Sequence, residues 1–154
     1  MQGHLRIEHG RHLVARLVAR LLRLPRASAS ADTRLIVTPR AGGEEWVRLF
    51  DRRRLTTWQR RSGASELAER FGLLEFRFRL YASAVGGLVY VQRDAALRLG
   101  PFRVRIPASW APRVEARESP AGPGRVEIVV RVALPLVGPL ITYEGFMTTQ
   151  DGRR

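Results

Sequence analysis

Apolar and charged residues alternate strictly along Leu74-Glu75-Phe76-Arg77-Phe78-Arg79-Leu80 and again along Phe102-Arg103-Val104-Arg105-Ile106. A period of two sets the apolar side chains on one face of a β-strand and the charged ones on the other. Both segments therefore predict strands with one buried face and one wet face, and the wet face is arginine. His4 to Glu8 repeats the alternation as a first strand that Gly10 ends. Leu35-Ile36-Val37 leads into a turn at Pro39 to Gly43, from which Trp46 to Phe50 pairs back. Leu55 to Arg60 alternates with Thr56, Trp58 and Arg60 on one face, and Ser65 to Phe71 fits either a short helix or a strand. Leu73 to Tyr81 is the clearest strand, and Gly86-Gly87 turns it into Leu88 to Gln92. Leu97-Arg98-Leu99, Phe102 to Ile106 and Val114 to Glu118 follow, with an irregular segment around Pro107 to Pro112. Beyond the turn Ser119 to Gly124, Val126, Ile128, Val130, Val132 and Leu134 line one face of a long strand, and Leu140 to Phe146 closes the domain.

One segment has a helical period instead. From Arg11 to Leu24, Leu13, Val14, Leu17, Val18, Leu21 and Leu22 recur at i, i+3, i+4, i+7 and i+8, with Arg16, Arg20 and Arg23 on the opposite face. Pro25 stops this helix, and Arg26 to Asp32 reads as a small-residue loop. Burying the apolar stripe on the sheet would contribute about 1.5–3 kcal/mol per large side chain before entropy, which favours a core helix over one lying on a membrane. The expected fold class is mainly β (α+β): a curved antiparallel sheet or half-barrel packed on one amphipathic helix, a geometry that makes apolar cavities. Residues 1–154 form a single domain in this reading, with a core over 4–147 and a frayed tail over 148–154.

Composition narrows the function classes. The chain has no cysteine, which excludes disulfides and cysteine-ligated metals. Its 27 basic residues, all arginine, face 14 acidic ones for a net charge of +13. Residues 1–61 hold +9 of that charge, so an anionic partner would be drawn to the first part of the chain. The longest apolar run, Val132 to Ile141, is short and broken by Pro135, Gly138 and Pro139, and the early Leu-rich stretch is interrupted by arginines. A cytoplasmic location is therefore expected, although the Arg-rich, acid-poor early segment shares features with an organelle transit peptide.

No arrangement of residues demands catalysis. Glu8, His9 and His12 could be drawn together around a metal, but Gly10 breaks the element between them and no second cluster adds ligands, so solvent-facing histidines are expected. Ser109, Thr142 and Thr148 have no histidine in the later chain to activate them. Glu115 and Glu144, with Tyr143 nearby, are the one candidate carboxylate pair, and ion pairs to Arg113 or Arg117 compete with that use. There is no phosphate loop and no dinucleotide fingerprint. Trp46 with Arg48 and Trp58 with Arg60 share strand faces, and Arg52-Arg53-Arg54 adds charge, which keeps a nucleic-acid or anionic-membrane surface among the alternatives. The expectation is a non-enzymatic domain without cofactor or metal.

Much of the chain resembles a bacterial family known as domain of unknown function 4166. The likeness is carried by Glu69-Arg70-Phe71-Gly72-Leu73-Leu74-Glu75-Phe76-Arg77-Phe78-Arg79-Leu80, Gly87-Leu88, Leu99-Gly100-Pro101-Phe102, Ile106-Pro107 and Ala111 to Glu118. It continues through Leu134-Pro135-Leu136-Val137-Gly138 and Tyr143-Glu144-Gly145, with Leu21-Leu22-Arg23-Leu24-Pro25 matching an early Leu-rich segment. Similar domains occur alone or behind a saccharopine-dehydrogenase-like NAD(P)-binding domain. The resemblance thus implies a ligand-holding role, or an accessory module that docks on a dehydrogenase-like partner. Relatives usually have a further N-terminal segment before the strand matching His4 to Glu8, which implies that this chain begins late. The polar residues within the shared motifs, Arg70, Arg77, Arg113, Glu115 and Tyr143, are the candidate ligand-binding set. In that role the arginines hold the acidic head group of an apolar or amphiphilic ligand, and Tyr143 orients it. In a structural role Arg113 and Glu115 fix a loop and Tyr143 is a core residue.

Overall fold

In the computed structural model, which describes residues 1–149, the chain forms one antiparallel sheet of eleven strands and one helix. The strands are β1 (Gln2–His9), β2 (Ser28–Arg40), β3 (Gly43–Phe50), β4 (Arg53–Gly63), β5 (Glu66–Phe71), β6 (Leu74–Ala82), β7 (Leu88–Leu99), β8 (Phe102–Ile106), β9 (Arg113–Pro120), β10 (Arg125–Leu134) and β11 (Gly138–Thr148). The helix α1 (Leu13–Leu21) lies between β1 and β2. Sheet order is β6-β5-β4-β3-β2-β1-β11-β10-β9-β7-β8, and β6 also pairs with β7. That last pairing closes the sheet into a ten-strand barrel, where the sequence pattern suggested an open curved sheet or half-barrel.

Closure follows from β7. The segments Leu88–Gln92 and Leu97–Leu99, expected as separate strands, are one strand of 12 residues. One edge of β7 pairs with β6 from Leu74↔Leu97 to Ala82↔Leu88. The other edge serves two strands in turn: Leu88 to Val91 pair with β9, and Ala95 to Leu99 pair with β8. Where β8 and β9 part, the Gln92 side chain takes over the ladder. Its Nε2 donates to the Pro112 carbonyl (2.8 Å), and its Oε1 accepts from the Val114 amide (2.7 Å). A bulge opposite, between Arg77 and Phe78, absorbs the change of direction.

The period-two pattern sorts inside from outside. Phe76 and Phe78 of β6 are buried, with Arg77 and Arg79 on the other face, and β10 lines the interior with Ile128, Val130, Val132 and Leu134. Trp58 and Arg60 share the outer face of β4 and Trp46 and Arg48 the inner face of β3. Apolar-in, charged-out is the reverse of a membrane-spanning barrel. No helix among the described residues is long and apolar enough to cross a membrane. β8 departs from the pattern. It stands outside the closed ring, so Phe102 (71% exposed) and Val104 (51% exposed) find nothing to cover them, while Arg103 is half-buried and Ile106, at the end of the strand, packs against the Phe76 and Phe78 cluster.

One open choice is decided and two further expectations change. Ser65 to Phe71 resolves as strand β5, and the small-residue segment after Ser28 is strand, not loop, because Ala31 and Asp32 pair with Leu5 and His4 of β1. Thr148 is no frayed end: it closes β11 between Gln2 and Arg125, and the rest of the expected tail beyond residue 149 lies outside the described residues.

The helix is seated differently from its apolar stripe. Its buried residues are Ala15 and Ala19, with Val18 and Leu22 turned toward the barrel interior. Leu13, Leu17 and Leu21 are 77%, 57% and 72% exposed. The cause is a close approach at Gly10, whose N–H donates to the Leu140 carbonyl (3.1 Å) and where a Cβ would come within 1.7 Å of the Pro139 oxygen. This brings α1 so near β11 that only alanine fits beneath it. His12 caps the helix by accepting from the Val14 amide, and His9 Nε2 donates to the Pro25 carbonyl at the far end of the excursion. Arg23, in the left-handed region (φ 52°), donates to Arg20, and Leu24 donates to Ala19, a Schellman cap that sends Leu24 and Pro25 back to the barrel.

Candidate functional site

Barrels of roughly eight strands are just wide enough for their own side chains or one small ligand. A ten-strand wall is wider, and several of its inward positions are small: Ala31, Thr33, Thr57 and Ala116. The result is a cavity of about 440 Å³, inside the range of about 300–1,000 Å³ usual for small-molecule sites. Leu5, Leu35, Phe50, Leu55, Phe71, Phe76, Ile128 and Met147 are among its apolar walls, and Val18, Leu22 and Leu24 close it from the α1 end.

A polar cluster interrupts this lining. Arg48 Nη1 donates to Thr57 Oγ1 (2.8 Å), Arg48 Nη2 meets Glu69 Oε1 (3.3 Å), and the guanidinium lies over the Trp46 ring at 5.4 Å. Tyr90 donates its hydroxyl to Glu118 Oε1 (2.8 Å), and Gln59 and Tyr143 complete the polar surface. Burial alone would lower the Arg48 pKa, but the Glu69 carboxylate beside it holds it above its usual value, so the guanidinium stays charged. Burial, reinforced by Glu118, pushes the Tyr90 phenol above its ordinary range. Tyr143 is raised too, by burial first, with the Glu69 and Glu118 charges acting in the same direction against Arg48. Both phenols are therefore neutral near pH 7 and act as hydrogen-bonding groups, not as bases. The cluster is matched internally, cation to carboxylate and hydroxyl to carboxylate, an arrangement suited to orienting a bound molecule.

Of the residues singled out in sequence, Tyr143 lines this cavity, its ring edge-on to Phe50 at 5.5 Å. Arg70 and Arg77 face outward from β5 and β6, and Arg113 and Glu115 outward from β9 into a separate cleft of about 580 Å³, so these four do not reach the cavity. Glu144 pairs in register with Arg6 and Val129 at exposed or outer positions, across the wall from the Tyr143 side chain, so the carboxylate pair is not assembled around that phenol. Among the described residues no group of histidines and carboxylates is placed to hold a metal. Glu69, Tyr90 and Glu118 were passed over in the sequence, and Arg48, grouped there with Trp46 for a nucleic-acid or membrane surface, faces the cavity instead. Their signal was a polar residue on the apolar phase of an alternating strand: Trp46-x-Arg48-x-Phe50, Glu69-x-Phe71 and Val114-x-Ala116-x-Glu118.

Arg77 belongs to a second cluster on the outer wall. The Glu75 carboxylate, 3% exposed, is shared by Arg103 (2.7 Å), Arg98 (3.1 Å), Arg60 (3.7 Å) and Arg77 (3.9 Å), and Arg103 also pairs with Asp94. Burial would raise the Glu75 pKa, yet the Arg103 hydrogen bond and the charges of Arg98, Arg103 and Arg60 outweigh it and hold it below the usual value. These contacts join β4, β6, β7 and β8, and Glu75 is what keeps four like charges together. Glu75→Gln should cost about 1–3 kcal/mol at neutral pH, the range for stripping a hydrogen-bonded charge from its partners. Because the folded pKa is lowered, wild type has this stability above the ordinary glutamate pKa of 4.5 and loses it as pH falls through the lower folded value. Urea unfolding should thus show the deficit of the variant shrinking in acid; a deficit that stays constant would separate it from the charge of Glu75.

No curated protein and no solved structure matches this chain. The model of one family does, the domain of unknown function DUF4166, and it covers residues 1–147, from the first strand through the last. That span includes every wall of the cavity and the helix that closes it. The closed barrel with its inward polar cluster is therefore a structure of this family, and the chain belongs to DUF4166.

Proposed function

We propose that the barrel binds an apolar molecule bearing a small uncharged hydrogen-bonding head group, and that the domain is a binding protein without catalysis of its own. The observation that carries this reading is the cavity of about 440 Å³, apolar except for one internally matched cluster. The arginines first considered for an acidic head group face away from it, and Arg48 is already matched by Glu69. With Glu118 engaged by Tyr90, the cluster has two carboxylates against one guanidinium. Beside this cluster an added carboxylate would lose its hydration and meet a guanidinium that Glu69 already neutralises, a cost of several kcal/mol. A hydroxyl or carbonyl needs only the donors and acceptors that Arg48, Gln59, Tyr90 and Tyr143 supply.

Trp46 lines the cavity, whereas Trp58 is on the outer wall and Trp110 is 76% exposed, so ligand entry can be read from tryptophan fluorescence. A long-chain alcohol should bind wild type more tightly than the fatty acid of equal length. Glu69→Gln frees the Arg48 charge and should strengthen fatty-acid binding by about tenfold, the gain of a charge-assisted hydrogen bond. Absence of binding by both probes would remove the reading. A fatty acid bound more tightly than the alcohol by wild type would restore the acidic head group.

A second reading, docking on a dehydrogenase-like partner, is favoured by the β7–β8 hairpin. Leu97 and Leu99 pair in register with Val104 and Phe102, all four are exposed, and among the described residues the far edge of β8 has no neighbouring strand. Such an apolar edge is a ready template for another chain. A dehydrogenase-like protein captured by wild type should be lost with Phe102→Ser/Val104→Ser; equal capture by both proteins would exclude this edge.

A further inference from the structure

The exposed side of α1 has no role in the fold. Leu13, Leu17 and Leu21 recur at i, i+4 and i+8 and are mostly exposed, with Val14 beside them. Helical geometry places Arg16 and Arg20 on the flank of this leucine row, on the side away from Val18 and Leu22. Between Glu8 and Asp32 the chain has five arginines and no carboxylate. Arg16, Arg20, Arg23 and Arg26 converge with Arg53 of β4 on a cleft of about 700 Å³ that Leu13 and Leu17 also line. None of these five arginines has an ion-pair partner among the described residues, in contrast to those around Glu75. A leucine row beside unmatched guanidinium groups is the composition of a helix that lies in a lipid interface, with leucines among acyl chains and arginines at phosphate level.

We infer that α1 and the adjoining arginine cleft dock the protein on an anionic phospholipid surface. Charge selects this occupant: five unmatched cations call for a surface rich in phosphate, and the leucine row calls for hydrocarbon immediately beneath it. The same helix closes the cavity with Val18 and Leu22, so docking puts that end of the barrel against the bilayer. The docking stands on the exposed face itself. Its use, exchange of an apolar ligand between lipid and barrel, rests on the cavity reading above.

The test is sedimentation of the purified protein with phosphatidylcholine vesicles and with mixed phosphatidylcholine–phosphatidylglycerol vesicles. Wild type should sediment with the mixed vesicles and remain in solution with phosphatidylcholine alone, and added salt should weaken the binding. Leu17→Glu/Leu21→Glu and Arg16→Gln/Arg20→Gln/Arg23→Gln should each reduce partitioning by roughly tenfold or more. Circular dichroism checks the fold of each, and because the arginine variant changes only exposed residues it keeps the test valid if the leucine variant misfolds. Wild type left in solution with mixed vesicles, or both variants sedimenting like wild type, would overturn the inference. So would a dimer that Leu17→Glu/Leu21→Glu dissociates without any vesicle, since the face would then belong to a second copy. Binding of a single-stranded oligonucleotide that only the arginine variant loses would assign the cleft to nucleic acid instead. Alcohol binding by wild type separates the two proposals: binding of the alcohol without sedimentation on mixed vesicles removes docking alone, and sedimentation without alcohol binding removes the cavity reading alone.

Discussion

A single strand edge with two partners holds this barrel closed. Backbone N–H and C=O groups buried in a sheet must be paired, and β7 meets that requirement by giving half of one edge to β9 and half to β8. The gap between those halves would leave groups without partners at the fork. Gln92 supplies one donor and one acceptor there, in the place of a missing strand residue. Because the closure holds, the apolar faces of ten strands turn toward one interior, and that interior is too wide for the side chains to fill.

Closure also divides the arginines by face. On the outer wall, Arg60, Arg77, Arg98 and Arg103 gather around Glu75 and bind β8, the strand outside the ring, to the barrel. Inside, one arginine among apolar walls needs its own carboxylate, and Glu69 provides it. At the α1 end, arginines without carboxylates stand beside leucines without neighbours. The three environments give one residue type three different uses: fastening, orienting a ligand, and meeting an anionic surface.

Strand positions and their faces were legible because period-two alternation is a local property. Phe76 and Phe78, the Val126 to Leu134 row, and the pairing of Trp58 with Arg60 all follow it. Closure was not legible, since it depends on which distant edges meet, and no local pattern distinguishes Leu88 to Leu99 as one strand from two short ones. The phase of α1 was hidden for a similar reason. Its apolar stripe is real, but the contact of Gly10 with Pro139 rotates Ala15 and Ala19 beneath it and leaves the leucines outside. The family motifs drew attention to polar residues of the outer wall, whereas the cavity polar groups, Tyr143 apart, lie where alternation makes a charged residue exceptional.

The most direct test of a ligand inside the barrel is an amide and side-chain NMR titration with a long-chain alcohol. A ligand in the cavity should shift Arg48, Gln59, Tyr90 and Tyr143, on strands that surround it, and leave Arg70, Arg77 and Arg113 unmoved. Shifts confined to the outer arginines, with the Arg48 and Tyr143 signals unchanged, would contradict that placement and return the binding site to the outer wall.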